Sequence, residues 1–124
     1  MRILLMGTAA LGFSGLIATA QADPLPFQDG RYLNENSLCS LTDDELVARV
    51  GDDIYTTLIE IDGSTLNEGY GAYCEVGKVT RNGNAVDFEA SCDVEGDTNI
   101  VRFSYTFISP TSFQVGGSVY TLCR

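Results

Sequence analysis

Carboxylates dominate the groups in this sequence that could do chemistry: 17 Asp and Glu stand against 7 Lys and Arg and no histidine. Without imidazole, the commonest general base and the commonest metal ligand are both missing. Glu75, Asp87, Glu89 and Asp93 can approach one another on one strand face, and paired carboxylates can perform acid-base work on glycosidic bonds. On an alternating strand that pattern is the ordinary solvated face, so a carboxylate-based hydrolase stands only as an alternative. A second group, Asp93, Glu95, Asp97 and Asn99, puts oxygen side chains at every second position, as calcium loops do. Its Gly96 stands at the fourth position rather than the sixth, and no chelating glutamate occupies the twelfth. Any calcium there is expected to be weakly held, and no other cofactor is expected.

Eight aromatics, Tyr55, Tyr70, Tyr73, Phe103, Tyr105, Phe107, Phe113 and Tyr120, can line a ligand cavity if they surround a hollow barrel. That makes small-molecule binding a further alternative. In so short a chain they are expected to fill the interior instead, because small barrels are only wide enough for side chains.

The four cysteines, Cys39, Cys74, Cys92 and Cys123, are separated by 35, 18 and 31 positions. Zinc sites contain pairs only about two to four residues apart, so the spacing indicates two disulfides instead and leaves no thiol nucleophile. The compartment follows from the first twenty-two residues. Arg2, an apolar stretch from Ile3 to Ile17, and small residues at Ala20 and Ala22 form the three-part pattern of a cleavable export signal. The reading is a leader over 1–22, one β-rich domain over 23–124, and a periplasmic or secreted location. The whole chain carries −10, and residues 23–124, without Arg2, carry −11. Such a surface repels phosphate backbones and anionic headgroups, which disfavours nucleic acid and membranes and leaves a basic protein as the expected partner.

The elements that would position these groups are mostly strands. Gly30 to Leu33 is a first short strand. Thr42 with Glu45 makes a capping box for a short helix near residues 43–50, with Leu41 stapling onto Leu46 and Gly51 as its stop. A strand over Glu45 to Val50 is the competing reading. Tyr55 to Ile61 reads as a strand and Asp62-Gly63 as a turn. A return strand from Ser64 bends or bulges at Glu68 to Gly71 before continuing to Thr80. Asn82-Gly83 turns into Ala85 to Cys92, where Val86, Phe88, Ala90 and Cys92 alternate with Asp87, Glu89 and Ser91. An acidic loop over Asp93 to Thr98, a strand over Asn99 to Ile108 and a hairpin turning at Gly116-Gly117 complete the chain. The expected fold is all-β, a small antiparallel barrel or sandwich of six or seven strands. A three-residue loop at Asn82 to Asn84 would set Cys74 opposite Cys92, leaving Cys39 to pair with Cys123.

Gly30-Arg31-Tyr32, the hairpins and a cysteine in the last strand resemble small bacterial calycin-like barrels. Among these, periplasmic inhibitors of secreted metalloproteases begin with Gly-x-Trp, and Gly30 and Tyr32 occupy the two matching positions. Gly117-Ser118-Val119-Tyr120 is similar to the Ser-Gly-x-x-Tyr loop of small-barrel lysozyme inhibitors, with Gly116 in place of the serine. The resemblance implies a non-enzymatic inhibitor with Gly117, Ser118 and Tyr120 at the partner contact. Exported protein is expected to begin at Asp23, and intact-mass measurement checks this; a retained leader or a lipid adduct would refute it.

Overall fold

From Gly30 to Leu122 the chain runs up and down as eight antiparallel strands, each paired with the next, and the last pairs with the first to close a barrel. The computed structural model describes residues 23–124, so the leader expected over 1–22 lies outside the described residues. The strands are β1 (Gly30–Leu33), β2 (Leu58–Asp62), β3 (Thr65–Glu68), β4 (Ala72–Asn82), β5 (Ala85–Val94), β6 (Asp97–Ser109), β7 (Ser112–Val115) and β8 (Ser118–Leu122). Between β1 and β2 lie two short helices, α1 (Asp43–Val50) and α2 (Ile54–Thr57). Among the described residues no helix is long and apolar enough to cross a membrane.

The count of eight corrects the expected six or seven, and the extra strand comes from Glu68 to Gly71. Glu68 pairs with Ala72, so Gly69-Tyr70-Gly71 is a hairpin turn rather than a bulge within one strand. The reason lies in Tyr55. Its side chain covers both glycines so closely that a Cβ on Gly69 would stand 2.8 Å from the ring and one on Gly71 2.8 Å from the hydroxyl. Gly69 also adopts φ +66, which a side chain disfavours. Tyr55 itself is not in a strand. The segment expected to be extended from Tyr55 is helical through Thr57, whose hydroxyl donates to the Asp53 carbonyl at 2.7 Å. Ile54 is buried with Leu33, Leu38, Leu46 and Leu58, and this apolar cluster overrides the strand propensity of Tyr-Thr-Thr.

The helix near 43–50 forms as its capping signals require. The Glu45 amide donates to the Thr42 hydroxyl at 3.2 Å, and the Thr42 amide donates to the Glu45 carboxylate at 2.9 Å. The Thr42 amide holds the Glu45 carboxyl below its ordinary value. Leu46 on the inner face of α1 is fully buried against β1 and β2. The Cys39–Cys123 disulfide fastens this helical excursion to the chain's end.

Cys74 is bonded to Cys92, through a register that differs from the simple count. At the turn Asn82 faces Ala85 and Arg81 faces Val86, so the loop is one residue shorter than expected. A bulge between Val76 and Val79 then adds one residue to β4 and restores Cys74 opposite Cys92.

Inside the barrel, Phe113 is the centre of an aromatic stack. Its ring lies 4.6 Å from Phe27, 4.9 Å from Tyr32, 4.9 Å from Tyr105 and 5.7 Å from Tyr120. The arm from Asp23 to Asp29 closes one end of the bore, with Leu25 and Phe27 buried. The Gln28 amide donates to the Pro110 carbonyl at 2.8 Å and the Tyr32 hydroxyl to the Gln28 carbonyl at 2.6 Å. At Asp23 the backbone amide donates to the Gly77 carbonyl, and the side chain accepts from the Val79 amide beside the bulge. Phe27→Ala is expected to cost about 3–5 kcal/mol, the range for a deleted core aromatic ring, and to lower the urea midpoint without changing the slope. An unchanged midpoint would show that the arm is not part of the core.

Candidate functional site

Strand alternation leaves a continuous outer wall, and one row of side chains crosses five strands on it. The register sets Arg31 opposite Glu60, Glu60 opposite Asn67, Asn67 opposite Tyr73, and Tyr73 opposite Asp93. Arg31, Glu60, Asn67 and Tyr73, with Asp62 and Thr65 from the neighbouring row, line a groove of about 440 Å³. Asp43, from the start of α1, reaches its edge. Its carboxylate accepts from the Tyr70 hydroxyl at 2.6 Å and lies 3.7 Å from the Arg31 guanidinium. Arg31 donates to the Leu41 carbonyl at 3.1 Å, while its Nε and second terminal nitrogen are buried without a hydrogen-bond partner.

The electrostatics of this wall favour cations. Burial and the Asp43 charge push the Glu60 carboxyl above its ordinary value, and Arg31 offsets part of the effect. Burial and the bond to Asp43 raise the Tyr70 hydroxyl to about 12, so it remains a donor at any physiological pH. Asp43, Glu60 and Asp62 face a single guanidinium, so the arrangement can accept hydrogen bonds and positive charge from a partner.

Of the residues singled out from sequence, Tyr73, Tyr70 and Asp93 belong to this row and its edge, and the others fall elsewhere. Asp93 to Thr98 is not a loop: Val94 faces Asp97 across a two-residue turn, Glu95-Gly96. Both turn residues have positive φ, +53 and +87, the left-handed backbone that suits a tight hairpin. Asp97 and Asn99 share one strand face, and Asp93, opposite Thr98, points to the other. Among the described residues no three His, Cys, Asp or Glu side chains gather as a metal-binding group. The carboxylates of the hydrolase alternative share one outward face, with Glu75 opposite Ser91 between Glu89 and Asp93. Asp87 and Glu89 line a second groove of about 510 Å³, where Asp87 accepts from the Ser104 hydroxyl at 2.7 Å and Glu89 is engaged by Arg102 at 2.9 Å.

Gly117 and Ser118 sit at the β7–β8 turn, with Val119 beside them exposed. Tyr120 points inward instead; its ring is buried against Phe113 and its hydroxyl donates to the Thr56 carbonyl at 2.6 Å. Of the eight aromatics, Tyr105, Phe113 and Tyr120 fill the bore, Phe103 and Phe107 are half-buried, and Tyr55, Tyr70 and Tyr73 are exposed. The groove residues Arg31, Glu60, Asp62 and Asn67 escaped notice in the sequence. The turn is Gly63-Ser64 rather than Asp62-Gly63, since Asp62 faces Thr65. The expected turn would set Glu60 opposite Thr65, and the one-residue shift is what brings it opposite Asn67.

One carboxylate faces the bore. Glu68, at the end of β3, lies 3.5 Å from the Tyr105 hydroxyl. Burial raises its carboxyl, and the tyrosine's hydrogen bond partly opposes this. The Tyr105 hydroxyl is in turn raised well above its ordinary value by burial and by the Glu68 charge. Compared with known proteins, the chain matches no family model, no curated protein and no solved structure.

A raised carboxyl in the folded state means that ionisation of Glu68 opposes folding. The penalty is absent at pH below the unfolded-state value and grows as pH rises through the folded-state value. Glu68→Gln is therefore expected to raise the melting temperature near pH 7 and to leave it unchanged below about pH 4. Equal effects at both pH values would show that the gain has another origin.

Proposed function

We propose that this chain is an exported, non-catalytic binding module that inhibits a basic protein by docking it on the acidic outer wall of the barrel. The groove at Arg31, Glu60, Asp62 and Asn67, on a domain of charge −11, carries this reading. A bore filled by stacked rings leaves the outer wall as the surface for recognition, which counts against the small-molecule alternative. The two disulfides are compatible with a periplasmic or extracellular protein.

A lysozyme is the first partner to test, because lysozymes are commonly basic and Gly117 and Tyr120 match the glycine and tyrosine of the inhibitor loop. Tyr120 belongs to the core, so from that loop only the turn and Val119 are exposed to add to the groove contact. A secreted protease is the second candidate, from the resemblance at Gly30 and Tyr32. Long-range attraction speeds encounter and weakens as salt shortens the screening length to ~8 Å.

Purified residues 23–124 are expected to slow lysozyme action on cell walls. The double substitution Glu60→Gln, Asp62→Asn is expected to lower the association rate several-fold while changing dissociation little, read by surface binding kinetics at low and physiological salt. Inhibition that ignores these changes would move the contact off the groove. Absence of inhibition at micromolar protein would remove the lysozyme version, and the same assay with a basic secreted protease then tests the other.

A further inference from the structure

The barrel has two strand edges that extend past their neighbours, and the chain treats them differently. The lower part of β4, from Gly77 to Asn82, runs beyond β3, whose pairing stops at Thr65 opposite Glu75. That edge is covered by Asp23, interrupted by the bulge, and carries Lys78 and Arg81. All three are ordinary ways to stop a sheet from growing.

The upper part of β6 is neither covered nor bulged, and its charges are one acid and one base, Asp97 and Arg102. Strand β7 pairs only with Thr106, Phe107 and Ser109, so among the described residues Asp97 to Tyr105 has a partner on the β5 side alone. Pairing with β5 is unbroken from Ala85 to Val94, with no bulge to twist the edge away. The stretch Thr98-Asn99-Ile100-Val101-Arg102-Phe103 has no proline or lysine, and its Arg102 is held by Glu89. Ile100 is 68% exposed, and Val94 and Val101 are also exposed.

We propose that this edge pairs antiparallel with the same edge of a second copy, joining two barrels through one continuous sheet about a twofold axis. The free length fixes the register. Using all of Asp97 to Tyr105 sets Asp97 opposite the second copy's Tyr105, Ile100 opposite Arg102, and Val101 on the axis. The stretch contains one acid and one base, and this register opposes neither to its own kind. The acidic tips at Glu95 lie at opposite ends, roughly 40 Å apart at ~3.3 Å per residue, several times the ~8 Å screening length at physiological salt. Charge on the whole domain therefore opposes the dimer mainly at low salt.

Sedimentation equilibrium of the oxidised chain from residue 23, with amide hydrogen exchange across concentration, tests this. The expected result is a dimer that strengthens with salt, with protection of Asp97 to Tyr105 that rises with protein concentration. Ile100→Lys would set lysine against Arg102 twice, weakening the dimer by about tenfold or more. Ile100→Glu, at the same exposed position, is expected to retain it, and circular dichroism of both variants checks that the barrel still folds. A monomer up to the millimolar range, a dimer indifferent to Ile100→Lys, or edge protection that appears only with an added alternating Lys-Val peptide would each overturn the proposal.

Discussion

Eight strands closed into a barrel leave a bore only as wide as the side chains that fill it, and Phe113 occupies its middle. Rings from the arm, from β1, from β6 and from β8 all meet this one residue. Each ring comes from a different part of the chain, so the stack holds together segments that the sequence keeps far apart. Buried aromatic area of this kind is the largest favourable contribution a small core can make. Its polar tips are directed outward: Tyr32 reaches carbonyls of Gln28 and Pro110 at one end, and Tyr120 reaches Thr56 at the other. Glu68 is the exception, a carboxylate turned toward the bore and answered only by a long bond from Tyr105.

Filling the bore with rings leaves the polar side chains to the outer wall. The thiols are all bonded, and the acidic surface is organised by strand register rather than by loops. Because residues two apart on a strand share a face, a few turns are enough to align Arg31, Glu60, Asn67 and Tyr73. The helices contribute through Asp43 and Tyr70, which join the β3–β4 turn to the start of α1. The excursion between β1 and β2 thus builds a second, smaller core on the outer wall and also borders the groove.

Local signals were legible where they depend on neighbours in sequence. The capping box at Thr42 and Glu45, the alternation from Val86 to Cys92, and the glycine turns could each be read from a few residues. What failed depended on distant partners. Nothing near Gly69 announces that Tyr55 will lie across it, so the sequence alone suggests a bulge where the structure has a turn and a further strand. The Cys74–Cys92 register emerged from two departures that cancel, a shorter turn and an added bulge. Tyr120 looked available because its neighbours are turn residues, yet strand parity turns it inward. The groove was invisible for the same reason, since its row exists only after the strands are laid side by side.

The link between Cys39 and Cys123 spans 84 residues, and beside it β1 pairs with β8. A meander whose first strand must find its last cannot close until the whole chain is present. Every earlier intermediate keeps an open seam, and loop closure over that distance costs entropy before any contact repays it. Hairpins such as β4–β5 and β5–β6 can form early, while the seam must come late. Oxidation of Cys39 with Cys123 would then act as a latch on the finished ring, converting a slow and reversible meeting of chain ends into a permanent one.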